Sequence, residues 1–148
     1  MLDFDVSVKL NIYETIAEIA MMPTASDVAS RLESTVEEVL EAFQSLNQQR
    51  LLVLEPGEKD RIRMASPFSG IETPFQVDCR GKKFYANCAW DAYGVLAALQ
   101  NDGSVNAWDA YSNEPISLLV KDGQPVLENI AVHFAVPAAR WWDDIIYT

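Results

Sequence analysis

Apolar residues recur at helical spacing over the first third of the chain and alternate with polar ones over much of the rest. Residues 8 to 22 carry Ile12, Ile16, Ile19 and Ala20 on one side and Glu14 and Glu18 on the other. This pattern predicts an amphipathic helix that Pro23 ends. In "TASDVASRL", Thr24 followed three residues later by Asp27 signals the start of a second helix, with Val28 and Leu32 facing inward. "STVEEVLEAFQSLNQQRLL" predicts a third helix, capped by Ser34 with Glu37 and apolar along Val36, Val39, Leu40, Phe43 and Leu46. "LLVLEPGEKDRIRMA" then reads as strand, Pro-Gly turn, strand.

"SPFSGIETP", residues 66 to 74, is rich in Pro, Ser and Gly and reads as a linker. It divides the chain into an N-terminal unit, 1–66, and a second unit, 67–148. "FQVDCRGKKFYANC" alternates on both sides of a turn and predicts a β-hairpin. With the turn centred on Gly81-Lys82, Cys79 would face Phe84. "AWDAYGVLAALQ" predicts a helix buried through Val95, Leu96 and Leu99, stopping near Asn101-Asp102-Gly103. "SVNAWDAYS", "PISLLVKDG" and "ENIAVHFAVP" read as strands, and "AARWWDDIIYT" as a short closing helix. The predicted fold class is α+β. A three-helix, winged-helix-like domain comes first, then a mixed or antiparallel sheet domain with one main helix.

Charge narrows the function. The chain has 148 residues, 49% of them hydrophobic, and a net charge of -11. Helix-helix-helix-hairpin is the order of a DNA-binding winged helix, whose third helix enters the major groove. Here the third helix offers Glu37, Glu38 and Glu41, with Arg50 at its far end as its base. The hairpin's Lys59, Arg61 and Arg63 are matched by Glu55, Glu58 and Asp60. Nucleic acid and anionic membranes are therefore not expected partners, because both are bound through a surplus of Lys and Arg. The N-terminus lacks the basic start and apolar run of a signal peptide, and no stretch reaches 18 consecutive apolar residues. Two cysteines make no disulfide framework. A cytoplasmic protein with reduced thiols is expected; its oligomeric state is not legible, and no cofactor is implied.

The stretch "YANCAWDAYG" carries the candidate chemistry. Cys88 falls at or just before the first turn of the predicted helix, where free N–H groups and the helix dipole favour a thiolate. A thiolate attacks electrophiles and binds soft metals. Asp91 lies over the same turn and could exchange a proton with a group bound at sulfur. The plainer reading is a buried thiol beside a helix-capping carboxylate. Cys79 reads as a strand residue, and His133 in "AVHFAV" as a core or edge residue, with an acid/base role as the alternative. Trp90, Trp108, Trp141 and Trp142 read as core and rim aromatics, or as an apolar wall near Cys88.

"FQVDCRGKKFYANCAWDAYGVLAAL" resembles the catalytic segment of the organomercurial (alkylmercury) lyases, and "PISLLV" and "VHFAVPAARWWDD" resemble that family's later segments. The similarity is dense in residues 75 to 99 and 132 to 137. It implies an α+β fold with a winged-helix-like front that does not read DNA. It also implies a reaction: two cysteine thiolates bind the mercury of an R–Hg species and an aspartate passes a proton to the departing carbon. Cys88 matches the first cysteine, also the possible soft-metal ligand, and Asp91 the aspartate. Where the second cysteine is implied, this chain has Asn129 or Ile130. The resemblance thus implies thiol-based protonolysis of a carbon–mercury or related bond at a one-cysteine site. The implied partner is a small organometal or apolar electrophile. The alternative is a noncatalytic module that binds a thiophilic metal or small ligand on the same scaffold.

Overall fold

The protein is described by a computed structural model covering residues 3–126 and 129–146. Helix α1 (Phe4–Ile19) buries Val8, Asn11, Ile12, Thr15 and Ile16. It ends at a left-handed Ala20, before Pro23, and Ile19 lies on its exposed side rather than in the core. Helix α2 (Ala25–Leu32) starts as expected: the Thr24 hydroxyl accepts the Asp27 N–H, and the Asp27 carboxylate accepts the Thr24 N–H. Helix α3 (Val36–Gln48) has the same box one residue later than expected, made by Thr35 with Glu38. The sequence offers both pairs in one spacing, but the Ser34 N–H is already donated to the Ala29 carbonyl at the end of α2. Ser34 therefore closes one helix and Thr35 opens the next. Each such cap contributes about 1 kcal/mol.

Three short strands follow: β1 (Val53–Leu54), β2 (Ile62–Ala65) and β3 (Phe68–Ser69), antiparallel in the order β1-β2-β3. The stretch expected as a linker thus supplies a strand. Its Phe68 is buried, and Phe68 bridges to Ala86 of the following hairpin. The second sheet is antiparallel throughout. It comprises β4 (Gln76–Cys79), β5 (Lys82–Tyr85), β6 (Gly103–Trp108), β7 (Pro115–Lys121) and β8 (Gln124–Val126), in the order β5-β4-β6-β7-β8. Helix α4 (Ala89–Leu99) packs on β4 and β6 through Ala92, Val95, Leu96 and Leu99. A single apolar cluster runs from Ile12 and Phe43 in the helices through Phe68 to Val77, Phe84, Val95 and Val105.

Two further sequence expectations fail. Cys79 faces Lys82 and Val77 faces Phe84, because the hairpin turns on Arg80-Gly81, both at positive φ (52° and 71°). Such two-residue turns match the twist of the strands they join. Arg80 is tied down by its guanidinium, which donates to the Leu99 carbonyl at 2.8 Å. The second failure is the strand expected in "ENIAVHFAVP": among the described residues, 129–137 form none, and Leu127 and Glu128 lie outside them. Alternation predicts a strand only where a partner edge stands alongside. Ile130 and Val132 stay exposed instead. A six-residue 3₁₀ helix, Ala138–Asp143, follows. No helix among the described residues is long and apolar enough to cross a membrane.

Candidate functional site

The chain leaving β5 is clamped before it enters α4. The Ala86 N–H donates to the Phe75 carbonyl at 2.9 Å, and the Thr73 hydroxyl donates to the Ala86 carbonyl at 2.6 Å. The next two residues, Asn87 and Cys88, are delivered from this fixed point to the helix start. Cys88 is the N-cap, extended at φ -154°, ψ 179°. Its sulfur accepts the Asp91 N–H at 3.4 Å. Ser, Thr, Asp and Asn are the usual residues for this task. Sulfur is a weak acceptor, so capping alone does not account for a cysteine here.

Asp91 also departs from a capping role. It stands at the helix position that Asp27 and Glu38 occupy in α2 and α3, where the carboxylate reaches back to the N-cap N–H. In α4 the carboxyl turns instead to Asn87, whose side-chain N–H donates to Asp91 Oδ2 at 2.9 Å. The reading of Asp91 as a plain cap therefore fails.

Burial shifts both groups toward their protonated forms. Burial pushes the Cys88 thiol above its ordinary range; the Asp91 and Trp90 N–H groups pull it back, and the Asp91 charge adds to the rise. The helix start thus softens the rise but does not produce a free thiolate. Burial likewise raises the Asp91 carboxyl, against the opposing hydrogen bond from Asn87. A half-buried thiol and a carboxyl that holds its proton more tightly than usual thus share the first turn of α4. Tyr13 of α1 shares this environment: burial and the charge of Asp91 raise its hydroxyl.

Close by, Trp90 of the first turn of α4 faces Phe134, Val136, Pro137, Ala138 and Trp141 across an apolar cleft of about 520 Å³. Phe134 and Trp141 meet with ring centroids 5.2 Å apart, and the Trp141 indole N–H donates to the Val136 carbonyl at 2.9 Å. Three of the four tryptophans do not fit the core reading: Trp90 is 67% exposed, Trp108 56% and Trp142 41%. Trp90 lines an apolar cleft, but Cys88 is not among the residues that line it.

The remaining candidates make no hydrogen bond to the thiol among the described residues. Asn129 is exposed, with φ at 30°, Ile130 is exposed, and among the described residues no hydrogen bond joins either to Cys88. His133 is exposed, not a core or strand-edge residue. Cys79 is buried at the turn end of its hairpin, with its sulfur 3.7 Å from the Asp102 carbonyl. Cys88 follows the hairpin's open end, so the two sulfurs serve separate places. Among the described residues, no group of three or more His, Cys, Asp or Glu side chains could hold a metal ion.

A sequence model of the MerB alkylmercury lyase family matches residues 68–148, which include Cys88, Asp91 and the cleft. The chain belongs to the alkylmercury lyase family. Among solved structures, the mercury-bound form of MerB2 is similar, with a TM-score of 0.68 and 24% identity. The match covers 86% of this chain and 60% of that one, so this chain spans about three fifths of that protein's length. At that identity the likeness shows the shared fold. No curated protein sequence matches the chain.

Sequence reasoning missed Asn87 and Tyr13. Asn87 stands four residues before Asp91, a spacing that could have signalled the pair. Tyr13 is remote in sequence and carried no signal.

The two thiols differ in a testable way. Cys79 is buried and Cys88 half-exposed, so iodoacetamide is expected to label Cys88 first in the folded protein. Because the Cys88 thiol titrates above its ordinary range, its labelling at neutral pH should be slower than that of a free thiol and rise as pH increases. Peptide mapping over a pH series checks this; first labelling at Cys79 would contradict it.

Proposed function

We propose that the chain cleaves carbon–mercury bonds by protonolysis at a site with one thiol. The carrying observation is the Asp91 carboxyl, diverted from capping, partly buried and held in the same helical turn as the sulfur at the start of α4. The Cys88 sulfur takes the mercury of an R–Hg–X species in place of its anion X, and the thiol proton leaves with X as HX; soft sulfur prefers a soft metal. Asp91 then gives its proton to the carbon. The C–Hg electron pair goes to the new C–H bond, R–H leaves, and a carboxylate and sulfur-bound Hg(II) remain. The apolar cleft at Trp90 offers space for the organic group.

Asn129 supplies an amide where the family resemblance implies a second thiol. A single sulfur loads less electron density onto the metal, so turnover should be slow. Asn129→Cys is expected to raise Hg(II) affinity by about 10²-fold, because a second tethered thiolate acts at high effective concentration. Competition titration with a small thiol measures it; unchanged affinity would mean that Asn129 does not face the mercury.

In this reading residues 1–66 are a winged-helix-like packing unit and 67–148 the lyase unit, which agrees with a family match beginning at residue 68. The acidic third helix and the charge of -11 support a role without nucleic acid or membrane, in the cytoplasm. Hydrocarbon release from an organomercurial, compared among wild type, Cys88→Ser and Asp91→Asn, tests the reading.

A further inference from the structure

We propose that Asn87 is the positioning residue of this site, clamping the Asp91 carboxyl to the backbone of residues 67 and 68. The proposal rests on the reading of Asp91 as proton donor for its catalytic meaning, but the clamp itself can be measured without turnover.

Three acceptors converge on one amide nitrogen. Asn87 Nδ2 donates to Asp91 Oδ2 at 2.9 Å, to the Pro67 carbonyl at 3.3 Å and to the Phe68 carbonyl at 3.4 Å. An amide nitrogen has two hydrogens, so the two backbone carbonyls share one and the carboxyl takes the other. This fixes the orientation of the amide: a flip would set Oδ1 against three oxygens. The cost is visible on the other side, where Asn87 Oδ1 is buried without a hydrogen-bond partner. Orphaned buried acceptors are rare and call for a reason. Here the reason is that the nitrogen's partners dictate the rotamer.

The far end of the clamp is itself held. The Tyr13 hydroxyl donates to the Ser66 carbonyl at 2.8 Å, and the Tyr13 ring meets Phe68 edge-on with centroids 6.2 Å apart. Helix α1 thus fixes the 66–68 segment, that segment fixes Asn87, and Asn87 fixes Asp91. The titratable groups that face Asp91 are Tyr13 from α1 and Cys88 from its own helix start. Neither is a cation, so the Asn87 N–H is the favourable contact that the carboxylate form has. Removing it should leave the carboxyl more reluctant to ionise and free to rotate.

NMR titration tests this. In wild type, the Asn87 side-chain amide signals should shift with the same midpoint as the Asp91 carboxyl carbon. In Asn87→Leu the Asp91 midpoint should move upward. Phenylmercury cleavage should fall by about 10²-fold, the scale of loss when a reacting group is misplaced. Hg(II) binding should be unchanged in that variant. Asn87 amide signals that ignore the Asp91 titration would overturn the clamp, and this arm needs no variant to fold. An unmoved midpoint in folded Asn87→Leu, or its full turnover, would overturn it as well. Coupled titration with no hydrocarbon from any variant, wild type included, would support the clamp and contradict the lyase reading alone.

Discussion

Cys88→Ser is expected to abolish mercury binding at the start of α4 while leaving the fold intact. Serine has nearly the same shape, and its oxygen accepts the Asp91 N–H better than sulfur does. Melting temperature should therefore hold or rise. The hydroxyl is a hard, protonated ligand with little affinity for mercury. Cys88→Ala would lose the weak sulfur cap too and should cost less than the about 1 kcal/mol of an oxygen cap. This contrast separates chemistry from folding, which an alanine variant alone cannot do. Isothermal titration with Hg(II) and thermal denaturation of both variants check it. Mercury bound at full affinity by Cys88→Ser would place the metal elsewhere.

Asp91→Asn is expected to lower cleavage by about 10²- to 10⁴-fold, the contribution of a positioned proton donor. Metal affinity should stay close to wild type, because the ligand and the proton donor are different groups. The amide can still accept the Asn87 N–H, so the local geometry is retained. Stability should move the opposite way to activity. The folded protein raises the Asp91 pKa through burial. A raised folded-state pKa gives stability that is present below the ordinary carboxylate range and is lost as pH climbs through the folded value. Above the folded-state value the ionised carboxylate is therefore a destabilising group, and asparagine relieves it. The variant should gain stability over wild type as pH rises and converge with it in acid. Paired denaturation curves at several pH values, alongside hydrocarbon release, read both effects.

The elements with strong local signals were legible in the sequence. The α1–α3 stripes, the Thr24 cap, the β4–β5 hairpin and α4 with Cys88 at its head all follow from spacing and capping chemistry. The misplaced features had competing local solutions. Ser34 and Thr35 each matched a capping box, and the choice was made by the end of α2. The hairpin turn could centre on Gly81-Lys82 or Arg80-Gly81, and strand twist with an anchored Arg80 chose the second. Phe68 sits among Pro, Ser and Gly, which hid a core residue inside a stretch of loop composition.

At the site, Cys88 and Asp91 were visible because they lie within one helical turn. Their proton affinities were not, since the burial that raises both is set by the fold and not by their spacing. The helix-start argument for a thiolate captured one contribution and missed the larger one. Asn87 lay in plain view between a strand and a cap, but its three acceptors include two backbone carbonyls that only the fold brings near.

The most direct test is benzene release from a phenylmercury salt, followed by headspace gas chromatography with a small thiol present to remove product. Wild type should release benzene slowly but in step with the phenylmercury consumed, while Cys88→Ser releases none above solvent background and Asp91→Asn almost none. Phenylmercury bound by wild type without benzene, or benzene that persists in Cys88→Ser, would contradict a lyase site at the start of α4.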